Sequence, residues 1–186
     1  MNAHRFPALA GLAFSLLLLP AATSAQQANP LVEDLINSLN QVEEKLTSLA
    51  KEFPEDKWNW RPAEGVRSPR EVIQHVAADN WFLPTAAGVS APANTGIQAD
   101  DYPSVQAFEA REMSREEIMQ QMASSFAHAK EAIRTSVGEF DKPISLFGFD
   151  TTIRGLWVME TTHVHEHLGQ LIAYARSNGI VPPWSR

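Results

Sequence analysis

The sequence contains no cysteine among its 186 residues. That absence excludes disulfide scaffolds, thiolate zinc sites, cysteine nucleophiles and covalently attached c-type haem. Positive charge is also scarce: 15 Lys and Arg stand against 22 Asp and Glu, a formal net charge of −7. A nucleic-acid binder needs a basic face to displace counterions from phosphates, so no nucleic-acid partner is expected. Gly-rich phosphate loops and serine nucleophile elbows are missing, and beyond the first 25 residues no apolar run approaches the length of a membrane span. What is present is ordinary for a folded chain of one domain, with 44% hydrophobic and 20% charged residues. Any metal must be held by histidine, carboxylate or water, and there are six histidines.

Residues 1–25 read as a secretory signal peptide. His4 and Arg5 give a positive start, Ala8 to Leu19 form an apolar run, and Pro20 breaks it. Thr23-Ser24-Ala25 then offers the small residues a signal peptidase requires. The expectation is an exported protein, periplasmic or secreted, with no stable membrane span after cleavage and one domain over residues 26–186.

Four long helices are predicted. The first runs from about Leu31 to Phe53, where Val32, Leu35, Leu39, Val42, Leu46, Leu49 and Phe53 recur at three- and four-residue steps. The second begins at Ser68-Pro69-Arg70-Glu71, a capping box with proline in the first helical position, and lasts to Leu83. Thr85 to Pro103 has no sustained period and reads as a long loop, a lid or a crossover. A second capping box, Ser114-Arg115-Glu116-Glu117, opens the third helix, which extends to about Val137. Ile144 to Phe149 is a candidate for local strand pairing. The fourth helix spans Gly155 to Ser177 and stops at Asn178-Gly179. The fold class is therefore all-α, an antiparallel four-helix bundle with a long crossover between its second and third helices.

The chemistry lies in the histidines. His163 and His167 are four residues apart, one turn above each other on the fourth helix, and can bind one ion. The same spacing also suits two bland histidines beside a core. Glu160, His163, His167, Gln170 and Tyr174 form one polar stripe bordering the apolar face. On the second helix, His75 lies near the buried side and could supply a third nitrogen across the bundle, leaving a position open. Asp79, one turn further on, could orient a histidine or bind the ion directly. Asp79 and Glu160 are the candidate general bases. His165 points away, and His128 falls far from the apolar stripe of the third helix, on the surface. No His-Glu-x-x-His motif and no second Glu-x-x-His occur, which argues against a metalloprotease and against a di-iron centre.

Trp60-Arg61-Pro62 through Ser68 to His75 and Asn80 resembles one signature of the DinB superfamily of metal-binding four-helix bundles. His163-x-x-x-His167-x-x-Gln170, followed by Gly179 and Pro182-Pro183, resembles the other. The resemblance spans about Leu31 to Trp184. It implies an up-down-down-up bundle and places the family's histidine triad on His75, His163 and His167. It also implies a divalent transition metal; a three-histidine site suits zinc, nickel, iron, copper and cobalt to differing degrees, and zinc or nickel is the expectation. Known members include thiol-dependent S-transferases, a maleylpyruvate isomerase and proteins regarded as metal-dependent hydrolases. Export is a departure from that pattern and disfavours a reduced thiol cosubstrate. Two functional readings follow. One is a metal-dependent hydrolase or group transferase acting on a small molecule; the other is a non-catalytic bundle that binds a metal or ligand. The five tryptophans (58, 60, 81, 157, 184) are read as pocket walls or core anchors, and a homodimer is compatible with the bundle.

Overall fold

The computed structural model describes Met1 and residues 29–186; the predicted signal peptide otherwise lies outside the described residues. The four predicted helices are α1 (Pro30–Glu52), α3 (Pro69–Phe82), α5 (Arg115–Thr135) and α6 (Ile153–Ser177). Two shorter helices stand between them, α2 (Glu55–Trp58) and α4 (Tyr102–Glu109), and a hairpin of β1 (Pro143–Leu146) and β2 (Phe149–Thr152) precedes α6. Both capping boxes form: the Ser68 and Ser114 hydroxyls accept from the third helical N–H, while Glu71 and Glu117 accept from the cap backbone. Asn29 caps α1 and Thr152 caps α6, each through a side-chain oxygen.

The long helices pack as a ring. α3 lies on α5, α1 on α6, and the contacts of α1 with α5 and of α3 with α6 close it. Residues from all four meet in one apolar core, including Leu39, Leu46, Val76, Phe126, Ile133 and Leu171. This is an antiparallel four-helix bundle. The structure refines the expected loop after α3. A 3-10 turn over Leu83–Ala87 carries the chain past Pro84, whose missing N–H is harmless at the start of a turn. The crossover then includes α4, which the sequence reading did not anticipate. Pinning it, the Gln74 amide donates to Phe108 O and Arg111 O, and the Arg111 guanidinium donates to the carbonyls of Asn94 and Thr95.

Expected pairing after α5 is present: β1 and β2 pair antiparallel, with Leu146 opposite Phe149. Of the tryptophans, Trp58, Trp81 and Trp157 are buried anchors, and Trp157 Nε1 donates to Ser136 Oγ at 2.9 Å. Trp184 is largely exposed, with Lys45 over its ring. His128, expected on the surface, is half-buried with its ring 5.1 Å from that of Trp81. The helical period locates the face turned to the bundle axis, but a bulky neighbour on α3 covers part of the opposite face. No helix of the described residues is long and apolar enough to cross a membrane.

Candidate metal centre

α3 and α6 bring His75, His163 and His167 together. One ring nitrogen from each lies within 4.8 Å of the others. The His75 ring stands edge-on to both partners, with centroids 5.3 Å from His163 and 4.6 Å from His167. His163 Nε2 and His167 Nε2 are 2.9 Å apart, an approach that the four-residue spacing on one helix allows. Asp79 joins them: its Oδ2 is 3.3 Å from His75 Nε2 and from His163 Nε2. Nitrogen and carboxylate donors in this proximity suit a zinc-like divalent ion.

Two further side chains fix how the rings present themselves. Glu109, at the end of α4, places Oε1 2.5 Å from His75 Nδ1. A carboxylate can only accept, so Nδ1 carries the proton and the Nε2 lone pair of His75 is free. Gln170 does the same for His167. Its Nε2 donates to Tyr174 Oη at 2.7 Å, which turns its Oε1 toward His167 Nδ1 at 2.9 Å. Tyr174 is held in turn by an edge-on contact with Trp60. Glu109 was absent from the sequence reading. Its only signal there would have been a short apolar pattern, Val105 and Phe108, marking a helix inside the crossover.

Electrostatics favour free nitrogen ligands at neutral pH. Burial, then the nearby histidines, push His163 down to about 4; burial pushes His167 to about 4 as well, against the Gln170 hydrogen bond. Both imidazoles are therefore neutral near pH 7. Burial raises Asp79 to about 6, with Glu109 adding to the rise and His75 opposing it. Burial also acts to raise Glu109, but its hydrogen bond to His75 and the charges of His75 and Arg67 hold its carboxyl below the ordinary value. The Arg67 guanidinium lies 3.5 Å from Glu109 Oε2.

Glu160 sits differently from the rest of its stripe. It is fully buried, and neither carboxyl oxygen has a hydrogen-bond partner among the described residues. Burial, with the charge of Asp79, pushes it well above the ordinary carboxylate range, which favours its neutral form. A fully buried carboxyl with no polar partner among the described residues is also poorly placed to exchange a proton with a substrate. Asp79, between two histidines, is the better placed of the two candidate bases. Beside it a pocket of about 250 Å³ opens along His163.

The chain is thus a four-helix bundle with three histidines, a set that could hold a metal ion, gathered between two of its helices. The family model described as the DinB superfamily matches residues 38–171, and the chain belongs to that superfamily. No curated protein matches the sequence. Among solved structures, the fold is similar to a DinB-like protein, YjoA, from Bacillus subtilis, at 19% identity and TM-score 0.56, covering 82% of this chain and 94% of that one. A DinB-like protein from Bacillus cereus is similar at 16% identity and TM-score 0.63, over 81% and 95% of the two chains. YfiT from Bacillus subtilis, described as a probable metal-dependent hydrolase with an unusual four-helix bundle topology, is similar at 15% identity and TM-score 0.64, over 81% and 89%. At these identities the likeness is one of fold.

Proposed function

We propose that the protein is an exported, divalent-metal-dependent hydrolase or group transferase that acts on a small molecule through His75, His163 and His167. The observation that carries this reading is the convergence of three imidazoles, two of them held by Glu109 and Gln170 with Nε2 lone pairs turned inward. The neutral state of His163 and His167 fits the requirement that ligands be unprotonated. A divalent ion held there supplies Lewis acidity toward an oxygen of the small molecule. Zinc or nickel is the ion proposed.

The protein's own groups do the rest. Asp79, with a carboxyl near 6, is mostly ionised at pH 7 and can take a proton at Oδ2 and return it. Glu109 keeps the His75 ring from turning, and Gln170 keeps that of His167. The adjoining pocket, which a purely structural ion site would not need, favours an enzyme over a non-catalytic binder. Export rests on the composition of residues 1–25.

The test is the metal content of the mature protein, recovered from its export compartment without metal-affinity resin. About one equivalent of a transition metal is expected, as for a single three-histidine site, and it should be lost in His75→Ala and in His163→Ala. Wild-type protein that carries no metal and takes up neither zinc nor nickel would overturn the reading.

A further inference from the structure

The pocket beside the histidines has an unusual wall. Leu83, Phe147 and Met159 form its apolar side, and Asp79, His163 and Glu166 stand opposite in character. Phe147 reaches it from the tip of the β1–β2 hairpin. The turn there has two residues, Phe147 and Gly148, and both have positive φ, +52° and +84°. A two-residue turn of this kind favours Asn or Asp in its first position, because a bulky side chain crowds its own backbone at positive φ. Burial does not compensate Phe147, which is 58% exposed. Its ring lies against two other aromatics, edge-on to the exposed Tyr102 at 6.3 Å and tilted against Phe82 at 6.2 Å. An aromatic residue kept in a disfavoured backbone conformation, without burial, is the pattern expected where a side chain meets a ligand.

Charge narrows what that ligand is. Among the described residues, two carboxylates line the pocket and no Lys or Arg does. Arg61 and Arg67 line another cleft, where Arg61 pairs with Glu71 and Arg67 with Glu109. In the absence of the ion, an anionic group entering beside His163 would meet Asp79 and Glu166, while Arg67 stands in the neighbouring cleft paired with Glu109. The volume, about 250 Å³, is below the usual range of small-molecule sites and suits a compact molecule.

We propose that Phe147 contacts the substrate, and that the ion-free pocket prefers a small neutral or cationic molecule carrying one aromatic or branched apolar group. The inference rests on the metal-centre reading for the reaction, but the binding preference can be read without any ion. Metal-free protein labelled at its methionine methyls would be titrated with benzylamine, benzyl alcohol and benzoate while NMR follows Met159. Benzylamine and benzyl alcohol should shift the Met159 methyl and leave that of Met122, deep in the core, in place. Benzoate should bind at least about fivefold more weakly than benzylamine. Phe147→Asn, which suits the turn better, should weaken benzylamine about tenfold while leaving the melting temperature unchanged or raised. Equal binding of benzoate, no response at Met159, or wild-type affinity in Phe147→Asn would each overturn the proposal. Zinc uptake with no benzylamine binding removes this inference alone. Benzylamine binding without metal uptake supports the pocket's selectivity and removes the metal reading instead.

Discussion

α1 and the pair α3–α6 bury their inner faces by different rules. The buried residues of α1 are all apolar, among them Leu39, Val42, Leu46 and Leu49. α3 buries Gln74, His75 and Asn80 among its apolar residues, and α6 buries Glu160. Contact alone satisfies the α1 stripe. On α3 and α6 polar atoms need partners, and Gln74 Oε1, Asn80 Oδ1 and both Glu160 oxygens have none among the described residues. A buried polar atom without a partner typically costs about 1–3 kcal/mol. The bundle therefore keeps its cohesion on one side and gives some of it up on the other, where the histidines are held.

Three changes would break or sharpen that division. The largest effect belongs to Leu46→Ala in the apolar stripe, which should destabilise the chain by about 2–5 kcal/mol in urea unfolding. Metal affinity of the molecules that remain folded should not change; if it falls, the two regions are not separable. Next, Glu109→Gln should weaken metal binding by about tenfold in competition with a chromophoric chelator, since the ring it orients is freed. An unchanged affinity would show that His75 needs no such partner.

The smallest effect is that of Glu160→Gln on the pH dependence of the metal-free chain. The folded carboxyl stays protonated above the unfolded value of 4.5. Its contribution is fully present below that value and is lost as pH rises, because the unfolded chain then binds fewer protons. Relative to the variant, wild type should lose stability at up to about 1.4 kcal/mol per pH unit above that point. His163 and His167 act with the opposite sign: depressed to about 4 from 6.5, they add stability as pH rises across that window. The difference between variant and wild type, rather than the slope of wild type, is thus the quantity to measure. Parallel curves would mean that Glu160 ionises as readily folded as unfolded.

Much of this was legible in the chain. The four long helices declared themselves through the period of their apolar residues and through the caps at Ser68 and Ser114, which are local signals. His163 and His167 needed only the pitch of one helix. His75 and Asp79 needed the assumption that α3 faces α6, and the structure places them together. Glu109 was not legible, because its role depends on how a crossover folds back, and α4 has too few residues to carry a strong period. Glu160 was read from its stripe as a neighbour of the histidines. Which side of the boundary between core and site it occupies is decided by tertiary packing, and it falls on the core side. The hairpin was anticipated, but the aim of Phe147 was not, since a turn residue's direction follows from backbone angles that composition does not encode.

His75 and His163 belong to helices that meet only in the finished bundle, far apart along the chain. Whatever binds both therefore binds the folded chain and not the open one, and by mass action it raises the free energy of every global opening by RT ln(1 + [L]/Kd). α1 contributes no residue to the site, yet its amides can exchange with solvent through global opening only after the ligand has left. Hydrogen exchange along α1 thus becomes a distant reporter of occupancy between α3 and α6, with no strained or moving element in between.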